Sequence, residues 1–234
     1  SQTANALALE LDLVPPAHRA AVLANLVESI QVRGAGHLAT GIVGTNALEQ
    51  VLPAQGRSDV MFRIATQTTF PSWGHQVLHG ATTLWESWED PSERQYSLNM
   101  KMLGSSQKFL YHDLAGIRAT APGFREIAIA PQLVAGLDWV EGAVKTGYGP
   151  IAASWRRVEK GLDLRIRIPT NTRATLTLPT LGLENFRLTE SGVTLWEKGA
   201  YQPGIAGITE GRPADQALEF VAGGGRYLFR LRGP

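Results

Sequence analysis

One carboxylate of this chain stands out for the company it keeps. Residues 70–88 read FPSWGHQVLHGATTLWESW, so Glu86 lies among Leu84, Trp85 and Trp88, one turn from Thr82 and Thr83 if the segment is helical. Three of the six Trp, Trp73, Trp85 and Trp88, fall here together with His75 and His79. Indole faces stack on the C–H side of a sugar ring, polar groups hold its hydroxyls and a carboxylate supplies acid or base, so this composition suits glycoside chemistry. The same residues would also suit plain packing, with Trp85 and Trp88 in a core and Glu86 on a solvated helix face. Pattern alone leaves both readings open. Glu89 and Asp90 are rival carboxylates, although their setting, WEDPSER, reads as an exposed and charged helix end.

Other chemistry is weaker. GAGHLA, residues 34–39, satisfies a G-x-G-x-x-G/A string with Asp59 further on, but an amphipathic helix precedes it where a dinucleotide site requires a strand. These glycines read as a turn between two helices. His75 and His79 have the spacing of a helical metal pair, yet residue 76 is Gln rather than Glu and no third ligand is evident, so no metal is expected. Ser105 has no base partner in sequence and no Gly-x-Ser-x-Gly elbow exists, which leaves a Ser triad unsupported. No cofactor is expected.

Lys and Arg number 22 against 21 Asp and Glu, a formal charge of +1, which gives no general drive toward nucleic acid. No apolar run approaches the ~20 residues that cross a bilayer, and the start SQTANALALELDL lacks the basic opening of a signal peptide. The expectation is a soluble chain with neither nucleic acid nor membrane as partner. With no Cys, a cytoplasmic or exported location stays open.

The elements that would hold these residues change character along the chain. Pro15 and Pro16 open AHRAAVLANLVESIQ, whose Leu23, Leu26, Val27 and Ile30 form one helical stripe ending at Gly34. Leu48, Val51 and Leu52, behind a Thr45 or Asn46 cap, predict a second helix, and Val60, Met61 and Ile64 a third. SLNMKMLGSSQKFLYHDLAGI predicts a further long helix with Leu98, Met102, Leu110, Leu114 and Ile117 on one side. After RATAPGF the period becomes two: REIAIAP, LDWVEGAVKT, IAASWRRVE, LDLRIRIP, RATLTLP and GRYLFRLR read as antiparallel strands. Trp139, Trp155 and Trp196 in that half suit an inward-facing sandwich core better than an accessory sugar surface. The predicted fold class is a two-part α+β chain: helices over 1–120, then an antiparallel β-sandwich over 121–234.

PSWG, GATTLWESW, SLNMKMLGSSQKFLYHDLAGI, APGFREIAIAP and YGPIAASW occur in that order, with ALALELDLVP and HLATGIVGT upstream. Together they resemble the C-terminal region of glycoside hydrolase family 78, the α-L-rhamnosidases. The resemblance implies that 1–120 is the last part of an (α/α)6 catalytic toroid and that 121–234 is the C-terminal β-sandwich. It implies an inverting hydrolase of terminal α-L-rhamnosides, with Glu86 as the general base that activates water and Trp73, His79, Trp85, Trp88, Asn99 and Lys101 at the sugar. To accept a proton Glu86 must stay ionised, and Thr82, Thr83 and His79 are the candidate donors that would hold its charge.

Two features depart from the family pattern. The family's acidic, Trp-containing general-acid motif has no match in these 234 residues, and Met100 stands where many members have a sugar-contacting His. The general acid is therefore expected outside this chain, on the remaining N-terminal part of the enzyme or on a complementary chain. The alternative is a noncatalytic carbohydrate-binding or assembly fragment.

Overall fold

The computed structural model describes residues 1–92 and 95–234. It divides into two compact units, Ser1–Phe109 and Leu110–Pro234. The first is helical: α1 (Gln2–Glu10), α2 (Pro16–Glu28), α3 (Ile42–Ala54), α4 (Ser58–Ala65), α5 (Trp73–Leu78) and the single turn α6 (Ser106–Lys108). Pro16 occupies the first turn of α2, where a missing N–H costs nothing, and the predicted stripe buries Leu26, Val27 and Ile30. Past Glu28 the helix widens into a π turn, Ser29–Arg33, which Gly34 closes.

Helix α3 starts earlier than its predicted cap. Gly41 is the N-cap, and Thr45 lies inside the helix with its hydroxyl bonded to that of Thr40 at 2.9 Å. A hydroxyl satisfied by a buried neighbour has no need of a cap role. Val60, Met61 and Ile64 of α4 are buried as predicted.

The long helix expected after residue 97 does not form. Its place is taken by a 3₁₀ turn, Lys101–Leu103, then α6 and a π turn, Phe109–Leu114. Leu98, Met102 and Leu110, predicted to share a buried face, are exposed. The cause is competition for backbone groups: Ser97, Leu98 and Met100 give main-chain groups to residues 83–86, and the Asn99 N–H goes to the Ser97 hydroxyl.

The second unit contains β1 (Ile117–Ala119), β2 (Glu126–Ile129), β3 (Trp139–Thr146), β4 (Gly149–Val158), β5 (Gly161–Pro179), β6 (Arg187–Glu190), β7 (Val193–Glu197), β8 (Ala200–Tyr201), β9 (Ile208–Ala214) and β10 (Ala217–Arg232). LDLRIRIP and RATLTLP, predicted as two strands, are the two halves of β5. Its first half pairs with β4 and its second with β2; β10 pairs along both halves, and also with β9 and β6. All pairings are antiparallel except β2 with β5.

The two longest strands break their ladder together, β5 at residues 169–172 and β10 at Gly223–Gly225. Bending there lets one hydrogen-bonded network fold into two layers over a common core that includes Trp155, Leu164, Ile166, Leu176, Phe220 and Phe229. Gly224 makes the bend possible, because a Cβ on it would lie 2.8 Å from Pro169 O and 2.9 Å from Thr170 Cα. Gly224→Ala is expected to destabilise this unit by about 1–3 kcal/mol, read as a lower urea midpoint; an unchanged midpoint would show that the approach can relax freely.

Trp155 and Trp196 face inward, and the Trp155 indole N–H donates to Leu114 O at 2.7 Å. Trp139 differs, with 53% of its surface exposed. Among the described residues no helix is long and apolar enough to cross a membrane.

Candidate active site

The segment around Glu86 is built by a helix that stops early. Ser72 caps α5 by accepting from His75 N–H at 2.9 Å. Two turns later Gly80, at φ +87°, takes the left-handed conformation that ends a helix, with Ala81 N–H on Gln76 O at 2.9 Å and Gly80 N–H on Val77 O at 3.1 Å. Residues 81–92 therefore leave as a loop, and Glu86 is a loop residue rather than the helical one expected from sequence.

The loop is tied from several sides within the helical unit. Gln76 Nε2 donates to Ser87 O at 2.8 Å, and the Trp88 indole N–H to Thr40 O at 2.8 Å. Trp73 meets Trp88 edge-to-face at 5.2 Å and donates its indole N–H to Leu103 O at 2.9 Å. Across from the loop runs the segment that failed to become a helix: Glu86 N–H donates to Ser97 O at 3.0 Å, Met100 N–H to Leu84 O at 2.8 Å, and the Thr83 hydroxyl to Leu98 O.

Glu86 is half-buried at the centre of this clasp. Its Oε2 accepts the Ser97 backbone N–H at 2.9 Å. Among the described residues its Oε1 receives no hydrogen bond, so the described contacts fix one oxygen only.

Donors predicted for Glu86 act elsewhere. Thr83 serves Leu98 O; His79 turns its Nδ1 to His75 O at 2.8 Å and stacks on the His75 ring at 3.9 Å; Thr82 is exposed. The donor to the Glu86 carboxylate is instead the Ser97 main-chain N–H. Asp90 accepts from Ser92 N–H and Oγ at 2.8 and 2.6 Å, which holds its carboxyl below the usual range, helped by His79 and His75. Glu89 is exposed, and its carbonyl accepts the Tyr96 hydroxyl.

The predicted sugar contacts separate into two groups. Trp85 and Trp88 are only 4% and 9% exposed, so their faces are packed rather than presented, and they anchor the Glu86 loop. The Trp88 indole N–H has a main-chain acceptor and the Trp85 ring lies against Tyr96 at 6.5 Å, so both rings are held by packing. Trp73 is half-buried, whereas His79, Asn99 and Lys101 are exposed beside or opposite the loop. Met100 is half-buried and engaged through its backbone.

Sequence reasoning missed a second carboxyl, Glu49 on α3. It is fully buried, both oxygens lack a hydrogen bond of good geometry among the described residues, and so does the nearby Ser105 hydroxyl. Burial pushes its pKa up to about 7; Ser105 and the Lys108 ammonium pull it back without cancelling the effect. A signal was available. Glu49 sits between Leu48 and the Val51–Leu52 pair on a helix enclosed on most sides, with Thr45, Ala47, Leu48, Val51 and Leu52 all buried.

Residues 1–114 match the family described as bacterial alpha-L-rhamnosidase 6 hairpin glycosidase domain, and residues 116–191 the bacterial alpha-L-rhamnosidase C-terminal domain. An alpha-L-rhamnosidase of Alteromonas sp. (strain LOR) is 33% identical over 186 residues, 76% of this chain and 20% of the relative. The alpha-L-rhamnosidase structure from Dictyoglumus thermophilum superposes with a TM-score of 0.89 at 33% identity, covering 99% of this chain and 25% of that one. A Streptomyces avermitilis alpha-L-rhamnosidase, solved in complex with L-rhamnose, gives a TM-score of 0.83 at 29% identity, covering 98% and 21%. The chain thus spans about a fifth to a quarter of the length of these relatives.

Proposed function

We propose, from the premise that this chain belongs to the bacterial α-L-rhamnosidase family, that it supplies the catalytic base of an inverting hydrolase of terminal α-L-rhamnosides. The observation that carries the reading is Glu86, with Oε2 held by the Ser97 N–H and Oε1 without a donor among the described residues. A base needs that asymmetry: one oxygen fixes the direction of the carboxylate, and the other takes the proton.

In the reaction, Glu86 removes a proton from water as the water oxygen bonds to the anomeric carbon. The glycosidic C–O bond breaks on the opposite face, and a general acid beyond this chain protonates the leaving oxygen. Rhamnose is released with inverted configuration. Trp73, His79, Asn99 and Lys101 are the substrate contacts in this reading, while Trp85 and Trp88 position the loop. Val77 and Leu78, 66% and 70% exposed next to His79, form an apolar face for the remaining part of the enzyme to cover.

Proton NMR of an enzyme that joins this chain to the part of its relatives it does not span tests the stereochemistry. An α-L-rhamnoside should yield β-L-rhamnose first; α-L-rhamnose appearing first would refute inversion. In the same enzyme Ser97→Pro removes the N–H that stabilises the Glu86 carboxylate. The kcat should then fall about tenfold or more with KM changed little, and an unchanged kcat in a folded variant would count against the Ser97 contact.

A further inference from the structure

The outer face of the β-sandwich carries a charge arrangement that folding does not account for. Register places Arg226 of β10 directly opposite Arg167 of β5, while Leu228 faces Arg165, and Arg230 faces Asp163. On the other side of β5, Ala152, Ser154 and Arg156 of β4 pair with Arg167, Arg165 and Asp163. These alternate positions point away from the core, whose residues are Trp155, Leu164, Ile166, Tyr227 and Phe229.

Five other arginines of this unit have carboxylate partners: Arg118 with Asp113, Arg173 with Glu210, Arg187 with Glu197, Arg212 with Glu219, and Arg232 with Asp163. Arg165, Arg167 and Arg226 have none among the described residues, and they share a groove of about 700 Å³ with Glu141, Ser154 and Tyr227. Like charges directly opposite on neighbouring strands destabilise a sheet, so an unpaired Arg167–Arg226 pair is a cost without a structural return.

The same face presents the exposed indole. Trp139 pairs with Arg156 across β3 and β4, with the guanidinium 5.7 Å from the ring centre. Strand spacing puts Trp139 about 20 Å diagonally from Arg226, longer than one sugar ring.

We propose that this face binds an anionic saccharide chain, with Trp139 stacked on a sugar ring and Arg165, Arg167 and Arg226 taking its acidic groups. Guanidinium forks suit planar carboxylates in two parallel hydrogen bonds, and indole faces suit the C–H side of a pyranose. The choice of a saccharide over other polyanions rests on the rhamnosidase reading above; the anion requirement rests on the arginines alone.

Calorimetric titration of the 234-residue chain at fixed ionic strength tests it. The probes are galacturonate hexamer, its neutral methyl ester, a single-stranded oligonucleotide and inorganic sulfate. The hexamer should bind and the ester should be at least about tenfold weaker, and both Trp139→Ala and the Arg167→Ala/Arg226→Ala pair should lose about tenfold or more for the hexamer. Equal binding of the ester, tighter binding of the oligonucleotide, or hexamer affinity unaffected by Trp139→Ala or by the arginine pair would each overturn the proposal. Far-ultraviolet dichroism and the urea midpoint show that each variant is folded, so its loss reads on binding. Rhamnose titrated in parallel separates the two ideas: rhamnose binding lost with hexamer binding kept counts against the function above, and the converse counts against this site.

Discussion

Glu86→Gln, in an enzyme completed with the part its relatives possess, is expected to lower kcat on the order of 10²–10⁴-fold while KM changes little. The amide has the shape of the carboxylate and can still accept the Ser97 N–H through its oxygen, so the clasp between residues 83–86 and 97–100 should survive. What disappears is the ability to take a proton from water. Glu89→Gln serves as the comparison, because that side chain is exposed; its kcat should stay within about twofold. A small loss for Glu86→Gln, or an equal loss for Glu89→Gln, would remove Glu86 from the base role.

The second large effect concerns stability and comes from Glu49. Its folded pKa of about 7 lies above the ordinary value of 4.5, so between those pH values the folded state binds more protons than the unfolded state. Stability must then fall as pH rises through that window: the advantage is fully present below about 4.5, declines toward 7 and is absent above it. The full swing is roughly 3 kcal/mol, taking 1.36 kcal/mol for each pKa unit.

Glu49→Gln replaces the neutral acid by a neutral amide of the same size. Urea unfolding at pH 5 and pH 8 should show the variant near wild type at the lower pH and more stable, by about 2–3 kcal/mol, at the higher one. A variant that is less stable at pH 8 would mean that the ionised carboxyl is held by Lys108 and Ser105 more strongly than burial opposes it.

Much of this molecule was legible in its residues, and the failures have physical causes. The change of period is legible because a stripe at three and four and an alternation at two bury different faces, although the first strand, Ile117–Ala119, lies ahead of the expected boundary at 120. The stripe Leu26, Val27, Ile30 was readable since nothing competes with it. The Glu86 segment suits a helix by residue type, but Gly80 at φ +87° ends α5 before it, as a glycine following a short helix commonly does. The stretch from residue 97 carries a plausible helical pattern, but its backbone groups have better partners in the Glu86 loop, and no local pattern reports a partner eleven residues away. Strand β5 was read as two strands because Pro169 and Asn171 look like an ending; they mark a bend inside one strand, with Asn171 at φ +62°.

The candidate site was legible to a similar degree. The Thr-Trp-Glu string singled out Glu86, but neither its main-chain donor nor the burial of Trp85 and Trp88 follows from residue types, since both depend on which segment lies opposite. Glu49 went unnoticed because a lone Glu on a helix is ordinarily solvated.

Azide gives the most direct test, since it is a nucleophile that needs no proton removed. In the completed enzyme carrying Glu86→Gly, azide should restore cleavage of an α-L-rhamnoside with a good leaving group. Its terminal nitrogen bonds to the anomeric carbon as the glycosidic bond breaks, and proton NMR should identify the product as β-L-rhamnosyl azide. No restoration in a folded variant that still binds rhamnose, or formation of the α-azide, would contradict the assignment of Glu86 as the base.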